Sequence, residues 1–129
     1  MLKRVKGQPH LPQIVETFHD TILEKFYIVQ EHAGGLTLKE LMRAHPNGLA
    51  PVVAKDLTRQ LLEAVFKIHL AGICHRDLKP DNVLLRPDPL TKSGFHLTVI
   101  DLNVAIDLNE SPVISGGTGL KKWSAPETR

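Results

Sequence analysis

The chain has 129 residues, enough for one domain of ordinary size and too few for two. Hydrophobic residues make up 42% and charged residues 23%, a balance that excludes wholesale disorder. Lysine and arginine number 16 against 14 acidic residues, for a net charge of +2; the basic residues are spread along the chain, so nucleic acid is not expected as a partner.

The basic start at residues 1–6 is followed by Gly-Gln-Pro rather than an apolar stretch, so it does not read as a signal peptide. No apolar run approaches the roughly 18 residues of a membrane span, and no membrane partner is expected. Cys74 is the only cysteine, which excludes an internal disulfide and suits a reducing, cytoplasmic setting.

In chain order, residues 1–6 read as the end of a helix stopped by Gly7 and Pro9. Residues 14–18 and 25–30 are short and rich in β-branched and aromatic residues, with a turn-like His19-Asp20 between them, and predict a strand pair. Ala33-Gly34-Gly35 is a break. Thr37 followed by Glu40 has the form of a capping box, so a short helix should run to His45 and stop at Pro46-Asn47-Gly48. The clearest helix spans 51–70: Pro51 suits its first turn, Val53, Leu57, Leu61, Val65 and Ile68 form its core stripe, and Gly72 ends it. Residues 83–85 and 96–100 predict two more strands, separated by a polar loop at 86–94. Residues 111–122 are rich in Gly, Ser and Lys and predict a mobile segment.

Between the long helix and the next strand lies His75-Arg-Asp-Leu-Lys-Pro-Asp-Asn82. Asp77 and Asn82 stand five residues apart on an irregular loop, so both can converge on one point. Lys79 adds a cation, and Pro80 stiffens the turn between them. Asp101 ends an apolar strand. Carboxylate and amide oxygens are the hard ligands that Mg²⁺ prefers in sites completed by phosphates and water. An aspartate beside a lysine can orient a hydroxyl and accept its proton while the cation offsets phosphoryl charge. Phosphoryl transfer is the chemistry these residue types support.

These motifs resemble the eukaryotic protein kinase family, serine/threonine type. Residues 75–82 match the catalytic-loop pattern, Asp101-Leu-Asn103 the metal-binding triplet, and Ala125-Pro-Glu127 the end of the activation segment, in the family's order. Residues 26–35 are similar to the strand and hinge between the two lobes, with Gln30 as gatekeeper. The resemblance implies an α+β kinase-like fold, seen in part: the end of the small lobe, the hinge and the first part of the helical lobe, over 1–129. It implies Asp77 as catalytic base, Lys79 at the γ-phosphate, and Asn82 and Asp101 as Mg²⁺ ligands. The backbone of Glu31 and Ala33 would meet the adenine of ATP, with Leu84 beneath it. Protein substrates are implied, as is regulatory phosphorylation at Ser111, Ser115 or Thr118, read by Arg76. His75 is expected to be structural, and His10, His19, His32, His45, His69 and His96 to be ordinary. Cys74 is expected to be buried filler.

The sequence departs from the family's pattern in several places. No glycine-rich loop, and no lysine–glutamate pair of the small lobe, can be identified, so little turnover is expected of the 129 residues alone. Leu102 and Asn103 stand where the family has Phe and Gly; Leu keeps an apolar plug, and Asn, the non-glycine residue best suited to a left-handed backbone, bears on free switching more than on catalysis. Thr118 is out of register with Ala125-Pro-Glu127. A binding module without catalysis therefore stays open beside the enzyme.

Overall fold

The computed structural model describes residues 2–110 and Trp123. Ser111, Ser115, Thr118 and the Ala125-Pro-Glu127 triplet lie outside the described residues. The architecture is α+β. A 3-10 turn at Leu2–Val5 leads to the antiparallel pair β1 (Ile14–Asp20) and β2 (Lys25–Gln30). A three-stranded antiparallel sheet follows in the order β3 (Leu36–Thr37), β5 (Val83–Pro87), β6 (Phe95–Val99). Helices α1 (Leu38–Ala44) and α2 (Pro51–Leu70) lie between its first two strands in sequence. The short β4 (Ile73–Cys74) pairs with β7 (Ile106–Asp107).

Local chemistry explains most boundaries. The β1–β2 turn is closed by the Asp20 carboxylate, which accepts from the amides of Ile22 and Leu23 at 2.9 Å each. Across this pair Phe18 stacks on Tyr27 and His19 on Phe26, with ring centroids 4.9 and 4.3 Å apart. The Thr37–Glu40 capping box is present in full, with Glu40 N donating to Thr37 Oγ1 at 3.2 Å and Thr37 N to Glu40 Oε2 at 2.7 Å. Gly35 has φ +84°, and a Cβ there would fall on the Leu85 carbonyl, so only glycine lets the chain enter β3 against β5.

The core joins Val5 and Leu11 to Leu41, Leu57, Ala64 and Ile68 of the helices and to Ile73, Val83, Leu85, Leu97 and Val99 of the strands. The expected α2 stripe is corrected here. Leu57 and Ile68 are buried, but Val65 is only half-buried, and the inward face also carries Ala64, Asp56 and Gln60. A row of side chains spaced by four residues drifts about 40° per step around a helix of 3.6 residues per turn. Val65 is thereby carried off the face that Leu57 and Ile68 share.

Asp56 and Gln60 are buried because the outer edge of β6 needs partners. Gln60 Oε1 accepts from Leu97 N at 2.8 Å, and its Nε2 donates to Phe95 O and to Asp56 Oδ2, each at 2.9 Å. Asp56 also accepts from Ser93 N at 3.1 Å, Ser93 Oγ at 2.6 Å and Arg59 at 3.0 Å. From the other side His10 Nδ1 donates to Leu97 O and Val99 N to His10 O, both at 2.9 Å. A strand edge that would otherwise expose its amides and carbonyls is therefore satisfied inside the fold.

Three smaller features are set by the tertiary structure. Within Asp101-Leu-Asn103 the left-handed backbone belongs to Asp101 (φ +68°) and not to Asn103. Asp tolerates this region because its carboxylate can accept the amide two residues on, here Asn103 N at 3.3 Å. Cys74 is half-buried rather than buried, since the two-residue β4–β7 ladder leaves one face open. His10 and His96 stack their rings at 4.8 Å.

The Ser93 hydrogen bonds, then Arg59, hold the Asp56 carboxyl well below the usual carboxylate range. With its folded pKa below the unfolded one, its stabilisation is complete above about pH 4 and is lost as pH falls toward the folded value. Asp56→Asn should cost about 2–4 kcal/mol at neutral pH, because it removes the buried charge and one of the two acceptor oxygens, so that an NH2 faces either Arg59 or the Ser93 and Gln60 donors. Thermal melts followed by circular dichroism should show that cost. They should also show a shallower decline for the variant than for the parent below about pH 4.

Candidate active site

The loop between β4 and β5 begins at a buried histidine. His75 Nε2 faces Ile100 O at 3.1 Å, and Asp77 N donates to His75 Nδ1 at 3.3 Å. A carbonyl can only accept and a backbone amide can only donate, so the ring carries its proton on Nε2. His75 thus ties the loop to the segment that ends in Asp101, as expected of a structural residue. Arg76 adopts a left-handed backbone with φ +65°, which reverses the chain just before Asp77.

Asp77, Lys79 and Asn82 are brought together as the sequence implied. Asp77 Oδ2 accepts from Lys79 Nζ at 2.6 Å and from Asn82 Nδ2 at 3.0 Å. Asn82 Nδ2 also donates to Asp77 O at 2.9 Å. Two oxygen acceptors fix the orientation of the Asn82 amide, so its Oδ1 points away and has no partner among the described residues. A 3-10 turn at Pro80–Asn82 presents this side chain, closed by Asn82 N to Lys79 O at 2.9 Å. The Asp77 hydrogen bond raises the Lys79 pKa above its ordinary value, with smaller contributions from the charges of Asp77, Asp81 and Asp101. Lys79 remains a cation throughout the working pH range.

Beside this cluster lies a cleft of about 890 Å³. Leu84, Ile100, Asp101, Leu102 and Asn103 line one side, and the 28–33 segment lines the other through Ile28, Gln30, Glu31, His32 and Ala33, with Pro12. Glu31, Ala33, Leu84 and Asp101, assigned separately from sequence, therefore share one cavity. Glu31 N is taken by Gln13 O at 2.8 Å. The Glu31 carbonyl and the Ala33 amide have no backbone partner among the described residues. Asp77 and Lys79 do not line the cleft; Asn82 links them to it, since Ile100 N donates to Asn82 O at 2.9 Å.

The cleft thus offers the apolar Leu84, open backbone groups at Glu31 and Ala33, and Asp101; Asn82 is outside the lining and is joined to it by the Ile100 N to Asn82 O bond. The Asp101 carboxylate and the Asn82 amide both carry donor oxygens, and Asn82 is a buried residue, 6% exposed. Such a set fits a hard divalent cation that shares its shell with phosphate and water. Sequence reasoning did not find the ion pair between Lys39 of α1 and Asp81, whose Nζ and Oδ1 are 2.5 Å apart. Asp81 fills a variable position of the loop motif, and nothing in the chain order places Lys39 next to it.

No helix among the described residues is long and apolar enough to cross a membrane. Residues 1–128 match the protein kinase domain family. The chain is 34% identical over 122 residues to the serine/threonine-protein kinase stk11 homolog of Dictyostelium discoideum, a match covering 92% of this chain and 20% of that protein. It is 32% identical over 127 residues to cyclin-dependent kinase-like 4 of Homo sapiens, covering 98% of this chain and 31% of that protein. It is 28% identical over 121 residues to citron Rho-interacting kinase of Homo sapiens, covering 92% of this chain and 6% of that protein. The chain thus spans less than a third of each of these relatives. The match runs through every element described above, and the chain belongs to the protein kinase family.

Proposed function

We propose that residues 1–129 are the central part of a serine/threonine kinase domain that transfers the γ-phosphoryl group of ATP to Ser or Thr of protein substrates. The observation that carries this reading is the Asp77 carboxylate, held by Lys79 and Asn82 beside a cleft that ends in Asp101. Asp77 Oδ2 is occupied by those two donors, which leaves Oδ1 to orient an acceptor hydroxyl. As the hydroxyl oxygen bonds to the γ-phosphorus, the bond to ADP breaks and ADP leaves with the electron pair. The hydroxyl proton passes to Asp77. Lys79 offsets charge on the phosphoryl oxygens.

Asn82 and Asp101 would hold Mg²⁺, which when bound neutralises phosphate charge and fixes the phosphate chain. The Glu31 carbonyl and the Ala33 amide would take the adenine edge, and Leu84 its face. Arg76 would receive a phosphate placed at Ser111, Ser115 or Thr118, and a cytoplasmic setting belongs to the same reading.

The roles separate by experiment. Asp77→Asn should lower turnover at least a hundredfold while leaving Mg²⁺-nucleotide affinity nearly unchanged, since its one amide oxygen can still receive Lys79 and Asn82 while the group that takes the proton is lost. Asp101→Asn should lower turnover comparably and also weaken nucleotide binding when Mg²⁺ is present. Turnover and nucleotide titration with and without Mg²⁺ check both. A parent that binds no Mg²⁺-nucleotide would replace the enzyme by a binding module, and full activity in Asp77→Asn would remove the base assignment. Asn103→Gly should leave turnover equal or higher in the same assay, because the left-handed strain sits on Asp101 and Asn103 adds only its amide to the turn.

A further inference from the structure

Lys39 sits in the first turn of α1, where the helix dipole disfavours a cation. Its ammonium group reaches across to the catalytic loop and meets Asp81 Oδ1 at 2.5 Å. That contact lowers the Asp81 pKa, with the Lys39 hydrogen bond as its largest cause. The two side chains are 43% and 37% exposed, and a pair so open to water contributes little to stability. Its consequence is geometric.

Thr37, the N-cap of α1, is registered opposite Leu84 in the β3–β5 ladder. From Leu84 the chain runs back through Val83 and Asn82 to Asp81, and from Thr37 it runs forward through Leu38 to Lys39. The β-ladder closes one end of this ring and the ion pair closes the other. Asn82 is inside the ring, two residues from Leu84 on the cleft and one from Asp81. No backbone hydrogen bond outside helices and strands ties Asp81 to α1, so the Lys39 side chain closes the ring.

We propose that Lys39 and Asp81 form a positioning pair: a strut from the hinge-side helix that holds the Pro80–Asn82 turn, and with it the Asn82 amide oxygen, in register with the cleft. The pair acts through Asn82 and rests on the reading of Asn82 as a metal ligand. Losing the strut leaves the turn on its other anchors, the Ile100 N to Asn82 O bond and the two bonds from Asn82 Nδ2 to Asp77, none of which holds Asp81 itself. A small displacement of a ligand oxygen is enough to weaken a site that depends on placement.

The test uses the full natural chain with a fluorescent ATP analogue, titrated with and without Mg²⁺. The readout is the ratio of the two Kd values, which reports the metal's share of the affinity. Lys39→Ala should lower that ratio about fivefold, leaving the Mg²⁺-free Kd unchanged and Tm within about 3 °C of the parent. The swapped pair Lys39→Asp with Asp81→Lys should restore most of the ratio, which a purely structural loss would not allow. Added salt should narrow the gap between parent and Lys39→Ala, since the pair is exposed. The inference is overturned if Lys39→Ala keeps the parental ratio while Asn82→Ala loses it. A rise in peptide KM alone, at constant ratio, would also overturn it and make the pair a reader of substrate. If Asn82→Ala itself leaves the ratio unchanged, the metal-ligand reading fails, and the strut fails with it.

Discussion

The outer edge of β6 is the constraint on which the rest of the structure depends. β6 lies at the border of its sheet, so half of its backbone groups face away from β5. Left bare in the interior they would each cost as much as a lost hydrogen bond. Gln60 from α2 and His10 from the segment before β1 supply the partners. This one requirement places a helix and an N-terminal segment against the same strand. It also explains why two polar residues occupy the inward face of α2. Asp56 then exists to orient Gln60, and Ser93 and Arg59 to satisfy Asp56.

The candidate site inherits its rigidity from that seam. β6 runs directly into Ile100, whose amide and carbonyl hold Asn82 and His75 respectively. The loop that carries Asp77 is therefore referenced to the strand that ends at Asp101. Both chain reversals in this region use a left-handed non-glycine residue, Arg76 and Asp101. Such backbones cost on the order of 1–3 kcal/mol each and persist because the surrounding hydrogen bonds over-determine them. The cost falls on the two residues that flank the cluster, and the Asp77 and Asp101 backbones are thereby fixed relative to one another.

Charge is arranged with similar economy. Lys79 neutralises Asp77, Lys39 neutralises Asp81, and Asp101 is left as the carboxylate at the cleft's end. Carboxylates crowded into one region repel one another unless cations lie beside them. The internal pairs limit that repulsion and leave the Asp101 carboxylate facing the cleft without an ion pair among the described residues.

Much of this protein could be read from its sequence, because its signals are local. The Thr37–Glu40 capping box, Pro51 at the start of α2 and the glycine after it act within one helical turn, so α1 and α2 fall at the expected residues. The β1–β2 pair and the β5 and β6 strands follow from β-branched and aromatic runs between turn residues. The grouping of Asp77, Lys79 and Asn82 is local too, since a stiff loop of a few residues must fold them onto one another. Only tertiary structure decided the rest. The inward turn of Asp56 and Gln60 depends on a strand edge some forty residues later, and a helical period read on apolar residues alone passes over them. The left-handed residue is Asp101 rather than Asn103 because the strand's direction, and not propensity, sets where the chain must reverse. Lys39 meets Asp81, and His10 meets His96, across long separations where no pattern in the chain order records the contact. Local hydrogen bonding is written in neighbouring residues, whereas a long-range partner is fixed only once the backbone between them has been placed.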